Sequence, residues 1–168
     1  MGKFLTILTI LSLALGGAFT SCNSGGCTEL RSSVPRADFF SSSTNSKIIL
    51  DSLRISGIGV PGDSALYGPK ERISSVYLPM PALTDKVQWR IAYMQKHLQE
   101  LGFADTLTIA FERTPWFAGE ECGAMYKYRI TNLETTKNLI DSVILVDSLV
   151  VNLDNPTMNI YFRTSSQQ

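Results

Sequence analysis

The chain has 168 residues, 44% of them hydrophobic, and its 15 basic residues balance its 15 acidic ones. This length suits one domain around a single core, and without a long run of like charge the chain lacks the electrostatic footprint of a nucleic-acid-binding protein. With one histidine and three scattered cysteines, it also lacks a zinc-ligand cluster, and no glycine-rich phosphate loop occurs. We therefore expect no metal, no cofactor and no nucleic-acid partner.

The N-terminus has the three parts of a secretory signal. Lys3 is followed by an uncharged apolar run, Phe4 to Leu15, and then by small residues as far as Ser21. The run is too short to cross a hydrocarbon core of about 30 Å as a stable helix, so a permanent membrane-spanning anchor is the weaker interpretation. We expect residues 1–21 to be removed after export.

Cys22 separates this signal from an ordinary one. Phe19-Thr20-Ser21-Cys22 resembles the lipobox of bacterial lipoproteins, although that pattern prefers leucine at the position of Phe19. Such a cysteine carries a thioether-linked diacylglycerol, and each buried methylene contributes about 0.8 kcal/mol to membrane attachment. We expect lipid on Cys22 and a short tether over residues 22–26. The alternative is an ordinary thiol after a normal signal cut.

With Cys22 lipidated, Cys27 and Cys122 remain as an even pair in an oxidising compartment, which predicts a disulfide between them. Such a bond closes almost the whole domain and is worth about 4–5 kcal/mol as an upper estimate. Two free thiols are the alternative. Cys122 also begins an alternating pattern, so we expect it on a strand with its sulfur toward the core. The residues expected on the same face are Tyr126, Tyr128 and Ile130.

Beyond the tether, apolar and polar residues mostly alternate, which is the period of a half-buried strand. The alternating strand candidates are Val87–Tyr93, Thr106–Glu112, Cys122–Ile130 and Met158–Arg163. Less regular candidates are Arg36–Ser41, Lys47–Ile58, Ile73–Leu78 and Ser142–Val151. In the last of these, residues 143–146 are consecutive and apolar, which predicts a strand covered on both faces. Turns rich in Gly, Pro, Asn and Asp separate the candidates, including Pro61-Gly62-Asp63 and a turn over residues 115–121.

One segment departs from this period. The apolar residues at helical spacing are Ile91, Met94, Leu98 and Leu101, and Gly102 suits a helix C-cap. We expect a short inserted helix over Gln95–Leu101, with a long β-hairpin as the alternative. Short strands separated by turns rich in Gly, Pro, Asn and Asp favour an all-β fold. The prediction is an antiparallel β-sandwich of about seven strands with immunoglobulin-like architecture, formed by residues 27–168.

The candidates for chemistry are few. His97, the only histidine, has no nucleophile elbow beside it, so we expect a solvated surface position and assign no catalytic residue. Trp89 lies on an apolar stripe and is expected in the core. The candidate ligand-binding residues, in the 115–121 turn, are Trp116, Phe117, Glu120 and Glu121. A packing role for Trp116 and a merely solvated acidic turn are the plainer interpretations.

Short motifs along the mature chain carry a family resemblance. They are Asp105-Thr106-Leu107-Thr108-Ile109, Glu121-Cys122-Gly123 with Tyr126 and Tyr128, Glu134-Thr135-Thr136, Ile140-Asp141-Ser142-Val143 and Asn159-Ile160-Tyr161-Phe162. Upstream, Cys27-Thr28 and Val34–Phe40 fit the same pattern. The chain thereby resembles a family of lipoproteins of the Bacteroidota defined by a domain of unknown function. The resemblance implies a lipoprotein with the disulfide and adds no catalytic residue.

These observations favour a non-enzymatic lipoprotein that binds or scaffolds an envelope protein or glycan. We expect it on the outer membrane facing the periplasm, because the residues after Cys22, Asn23 to Gly26, lack the acidic cluster of a surface-export signal. One alternative is a carbohydrate-binding module or glycan-active enzyme that uses the 115–121 turn. A surface adhesin subunit is the other.

Overall fold

The computed structural model describes residues 27, 29–60 and 65–164. The expected signal over residues 1–21, the lipidation site Cys22, the rest of the tether and the Pro61-Gly62-Asp63 turn therefore lie outside the described residues. The elements are β1 (Arg36–Ser41), β2 (Leu53–Gly57), β3 (Ala65–Tyr67), β4 (Ser75–Tyr77), β5 (Lys86–Tyr93), α1 (Lys96–Glu100), β6 (Ala104–Phe117), β7 (Ala124–Thr135), β8 (Ile140–Leu145), β9 (Leu149–Val150) and β10 (Pro156–Phe162).

The strands form two sheets. One has four strands in the order β4-β1-β10-β8, and the other has six in the order β3-β2-β5-β6-β7-β9. Neighbours are antiparallel except for β1 and β10, which run parallel. The expected all-β sandwich with a short inserted helix is confirmed. The described residues hold ten strands where about seven were expected. The three-residue β3 falls in no predicted strand, and the predicted strand Ser142–Val151 is divided between β8 and the two-residue β9.

The core lies between the two sheets and is built by the inward half of each alternating strand. Fully buried apolar side chains include Ala37, Phe39, Ile55, Leu107, Ile109, Ile140, Met158 and Ile160. Phe39 meets Phe162 edge to face with ring centroids 5.2 Å apart, and Phe111 meets Tyr128 in the same way at 5.4 Å. Such pairs add about 0.5–1.5 kcal/mol each beyond burial. Trp89 is 7% exposed within this core, as expected.

The insert between β5 and β6 is helical. Gly102 follows the helix with φ of 68°, a left-handed conformation that glycine adopts without a Cβ clash. The Phe103 amide donates to the carbonyl of Leu98 at 3.1 Å, which closes the C-terminal turn. The short helix is therefore confirmed and the hairpin alternative is wrong. His97 on this helix is exposed, as expected.

The predicted strand over Lys47–Ile58 is shorter in the structure. Only β2 is regular, because Ser52 just before it has φ of 55° and interrupts the extended backbone. The residues upstream of Ser52 make only isolated bridges to β1 and to the segment before β4.

The apolar run over residues 143–146 is not covered on both faces, so that prediction is wrong. β8 is an edge strand whose only paired neighbour is β10. Ile144, Leu145 and Val146 are 51%, 39% and 53% exposed. The run of apolar residues predicts a strand, but whether both of its faces are buried depends on its position in the sheet.

Candidate functional site

The sandwich extends at one end into a long hairpin made by β6 and β7. These strands have 14 and 12 residues and pair from Leu107 opposite Thr135 to Phe117 opposite Ala124. β5 pairs with β6 only as far as Ala110, so the distal part of the hairpin projects past β5. We call residues 115–126 the hairpin tip.

Two glycines shape the turn of the hairpin tip. Gly119 and Gly123 have φ of 134° and 74°, which L-residues with side chains rarely adopt. The Ala118 amide donates to the carbonyl of Gly123 at 3.0 Å, and the Gly123 amide donates to the carbonyl of Gly119 at 2.8 Å. The turn is therefore closed by its own backbone.

The turn of the hairpin tip carries the disulfide. Cys122 is bonded to Cys27 with Cα atoms 4.7 Å apart, so the expected pairing is confirmed. The expected setting of Cys122 is wrong, because β7 begins only at Ala124 and the half-buried Cys122 lies in the turn instead of the core. The bond thus fixes the start of the described chain to the hairpin tip. Three residues on, the Leu30 amide donates to the carbonyl of Asn152 at 2.9 Å.

The four candidate ligand residues lie at the hairpin tip but do not form one platform. Trp116 and Phe117 belong to β6, so a turn starting at residue 115 is wrong. Successive strand residues point to opposite faces, which places the two aromatic rings on different sides of the hairpin. Phe117 is 64% exposed, and Trp116 is half-buried. Glu120 and Glu121 are exposed in the turn.

Tyr126 joins Phe117 on one face of the hairpin tip. Phe117 stands opposite Ala124, and Pro115 stands opposite Tyr126, so both aromatic rings lie on the side that also carries Tyr128. Tyr126 is 39% exposed, whereas Tyr128 is buried, with its ring centroid 6.4 Å from that of Tyr126. The alternation predicts both tyrosines in the core, and the structure buries only Tyr128. The pattern of one strand does not show where the opposite sheet ends and leaves a residue such as Tyr126 uncovered.

A buried carboxylate lies at the opposite end of β6. Asp105 is fully buried on the inward face, in phase with Leu107 and Ile109. Its side chain accepts five hydrogen bonds. The donors are the Tyr93 hydroxyl at 2.7 Å, the Thr136 hydroxyl at 2.8 Å, and the amides of Asn138, Leu139 and Ile140 at 2.8, 2.9 and 3.0 Å. Asp105 thereby fixes the loop between β7 and β8.

The hydrogen bonds determine the protonation of this cluster. Burial acts to raise the pKa of Asp105, but the backbone amides of Asn138 and Ile140, together with the Tyr93 hydroxyl, outweigh it and hold that pKa below its ordinary value. Burial and the bond to Asp105 raise the pKa of Tyr93. Asp105 is therefore an ionised acceptor and Tyr93 a neutral donor. With both oxygens saturated, Asp105 has a structural role and is not available as a general base.

This cluster predicts how stability varies with pH. The lowered pKa of Asp105 contributes stability above its ordinary value of 3.8, and that contribution is lost as pH falls through the folded pKa. The raised pKa of Tyr93 contributes stability below its ordinary value of 10.0, and that contribution is lost as pH rises through the folded pKa. We expect the free energy of unfolding, measured with urea, to be constant between about pH 5 and 9 and to decrease on both sides of this range. The acid fall should flatten in Asp105→Asn, and an unchanged acid fall in this variant would contradict the assignment.

A cleft lies beside α1, near the Asp105 end of the sandwich. Its volume is about 660 Å³, within the range of small-molecule sites. It is lined by residues 48–53, Tyr93, Gln95, His97, Leu98, Leu139 and residues 162–164. Sequence patterns do not predict this cleft, because its lining comes from four separate segments of the chain. In the part of the chain that the structure describes, no three His, Cys, Asp or Glu side chains are grouped to hold a metal ion.

The family of unknown function DUF6452 matches residues 52–162, from just before β2 to the end of β10. The chain belongs to this family. The DUF6452 segment includes Asp105 and Cys122, while Cys27 and β1 precede it. The expected likeness to a family of unknown function is confirmed at this level, and its lipoprotein character stays a prediction. No curated protein and no solved structure matches the chain. Across the described residues, no helix has the length and apolar character needed to span a membrane.

Proposed function

We propose that the protein is a lipid-anchored lipoprotein of the bacterial cell envelope, whose β-sandwich serves as a non-enzymatic binding or scaffolding module. The observation that carries this proposal is the disulfide between Cys27 and Cys122. Structural disulfides form and persist in oxidising compartments, so the bond supports export from the cytoplasm. The lipobox-like Cys22 precedes Cys27 by five residues, which joins the lipid site directly to the bonded end of the domain.

The positions of the disulfide and the cleft support a binding role. Asp105, near the cleft, and Phe117, at the hairpin tip, are twelve residues apart on β6, a separation of about 40 Å along an extended strand. An anchor attached at the hairpin tip leaves the cleft at the far end, accessible to other envelope components. The best-formed buried polar cluster, around Asp105, is saturated by structural hydrogen bonds.

Lipidation is tested with the Cys22→Ser variant expressed in a bacterial host that processes lipoproteins. We expect the wild-type chain to incorporate an alkyne-tagged palmitate and to fractionate with membranes. Cys22→Ser should lose the label and leave the membrane fraction, because the thioether cannot form. Cys27→Ser is the matched control and should keep the label. Labelling that persists in Cys22→Ser would contradict the anchor.

The non-enzymatic role is tested with the purified domain of residues 22–168. Incubation with peptidoglycan, envelope polysaccharides and peptides should leave each substrate intact, and turnover of any of them would contradict the role. The proposed placement on the periplasmic side is tested by protease treatment of intact cells. Protection until the outer membrane is broken is expected, and cleavage of intact cells would favour the surface-exposed alternative.

A further inference from the structure

Aromatic side chains are concentrated at the hairpin tip, the part of the domain joined to the proposed anchor. Phe117 and Tyr126 are 64% and 39% exposed on one face, and the half-buried Trp116 lies on the other. All three belong to the last register positions before the turn. Aromatic rings are enriched where proteins meet the membrane–water interface, because one side of such a site is apolar and the other is hydrated.

Covalent geometry keeps these rings near the anchor. Cys22 and Cys27 are five residues apart, so their Cα atoms are separated by about 18 Å at most, whatever conformation the intervening residues adopt. The Cα of Cys27 is 4.7 Å from that of Cys122. Phe117 is paired with Ala124, two residues beyond Cys122. Lipid on Cys22 therefore holds the hairpin tip within about 30 Å of the bilayer surface.

We infer that the hairpin tip contacts the bilayer, with Phe117 and Tyr126 in the interfacial layer, so that the domain stands on the membrane in a defined orientation. This inference rests on the proposed lipidation of Cys22. The disulfide supplies the covalent part of this restraint, because it joins the residue that follows the tether directly to the turn of the hairpin. The contact adds a second point of attachment to the lipid and points the cleft beside α1 away from the bilayer.

The charges at the hairpin tip define the kind of bilayer. Glu120 and Glu121 are exposed in the turn, beside the aromatic residues. The cationic side chains of the distal hairpin, Arg113, Lys127 and Arg129, lie further from the turn on the two strands. An anionic surface would repel the two glutamates, so the contact is apolar and favours zwitterionic lipid.

The test uses the full mature lipidated protein in phosphatidylcholine vesicles that contain lipid brominated in the upper acyl chain. Bromine quenches tryptophan emission at short range. In a Trp116→Phe background, the difference in emission with and without the additional change Tyr126→Trp isolates a reporter on the contact face from the buried Trp89. We expect this reporter to be quenched. Phe117→Ser should weaken the contact equilibrium about tenfold, because the lost burial of one aromatic side chain corresponds to at least that factor. Phe103→Ser, the same change at the α1 end, should leave the quenching unchanged.

The outcomes separate the contact from the anchor. If the protein floats with the vesicles while the Tyr126→Trp reporter is unquenched, or while Phe117→Ser and Phe103→Ser behave alike, the contact is overturned and the anchor stands. A chain that carries no lipid and fails to float overturns the proposed function itself. Quenching that increases with phosphatidylglycerol and decreases with salt would overturn the apolar contact in favour of an electrostatic one. Weaker quenching on phosphatidylglycerol would support it.

Discussion

Replacing Asp105 with alanine is expected to lower the free energy of unfolding by about 3–5 kcal/mol. The substitution leaves the Tyr93 hydroxyl and the amides of Asn138, Leu139 and Ile140 without their acceptor in a buried site. Each orphaned buried donor costs about 1–3 kcal/mol, although relaxation of the loop recovers part of the sum. Urea denaturation followed by circular dichroism measures the change.

The matched control is Asp141→Ala. Asp141 pairs with Arg163 at 3.3 Å, and both side chains are more than 40% exposed. Exposed ion pairs contribute about 1 kcal/mol or less, so we expect a loss below that value. A similar loss in both variants would contradict the role assigned to Asp105. So would a loss below about 1 kcal/mol in Asp105→Ala, since it would show that the loop finds other partners.

Removing the disulfide is expected to cost about 3–5 kcal/mol, because the bond closes a loop with a sequence separation of 95 residues and so restricts the unfolded chain strongly. The comparison is between the exported domain with Cys22→Ser and the same domain with Cys27→Ser and Cys122→Ser added. Starting from Cys22→Ser prevents mispairing with a third thiol. Urea midpoints with and without a reducing agent give the measurement.

The two proteins should respond differently to reduction. Reductant should lower the urea midpoint of the Cys22→Ser domain to that of the domain that also carries Cys27→Ser and Cys122→Ser. The urea midpoint of the latter should not change on reduction. Without urea, the reduced domain should keep the circular dichroism spectrum of the oxidised one, because Leu30 and the strands are held by their own backbone hydrogen bonds. Superimposable unfolding curves before and after reduction would show that the bond contributes nothing to stability.

Strands with a regular alternation could be predicted closely from sequence. The predicted Val87–Tyr93 falls one residue short of β5, which buries one face against the core, so the period of two in the sequence has a direct physical cause. The less regular candidate Arg36–Ser41 is also a strand, β1, but it buries three consecutive residues, Ala37 to Phe39. The burial of residues 143–146 could not be predicted, because the edge position of β8 depends on the order in which distant strands pair.

Pro115 explains the difference between the predicted turn and the structure at the hairpin tip. A proline shortly before a glycine such as Gly119 is typical of a turn, but Pro115 lies within β6 opposite Tyr126. The distal part of β6 has lost β5 as a neighbour and is an edge, where the missing amide of a proline is tolerated. The extent of the hairpin is therefore set by where β5 begins, at Lys86, which the residues around Pro115 do not encode.

Little in the sequence predicts the hydrogen-bonded cluster around Asp105. Asp105 occupies an inward position of an alternating strand, and a carboxylate there requires buried donors. Its partners, however, come from β5 and from the loop after β7, about thirty residues downstream. The pairing of Cys27 with Cys122 was predictable from cysteine number and compartment, whereas the attachment of the tether to the hairpin tip was not.

The central claim is a lipid anchor on Cys22 that leads into a disulfide-bonded β-sandwich, and intact-mass spectrometry of the protein extracted from membranes tests it most directly. The expected mass is that of residues 22–168 with acyl lipid added and two hydrogens removed, and reduction should restore those two hydrogens. A chain that begins elsewhere, a mature chain without lipid, or a mass unchanged by reduction would contradict it.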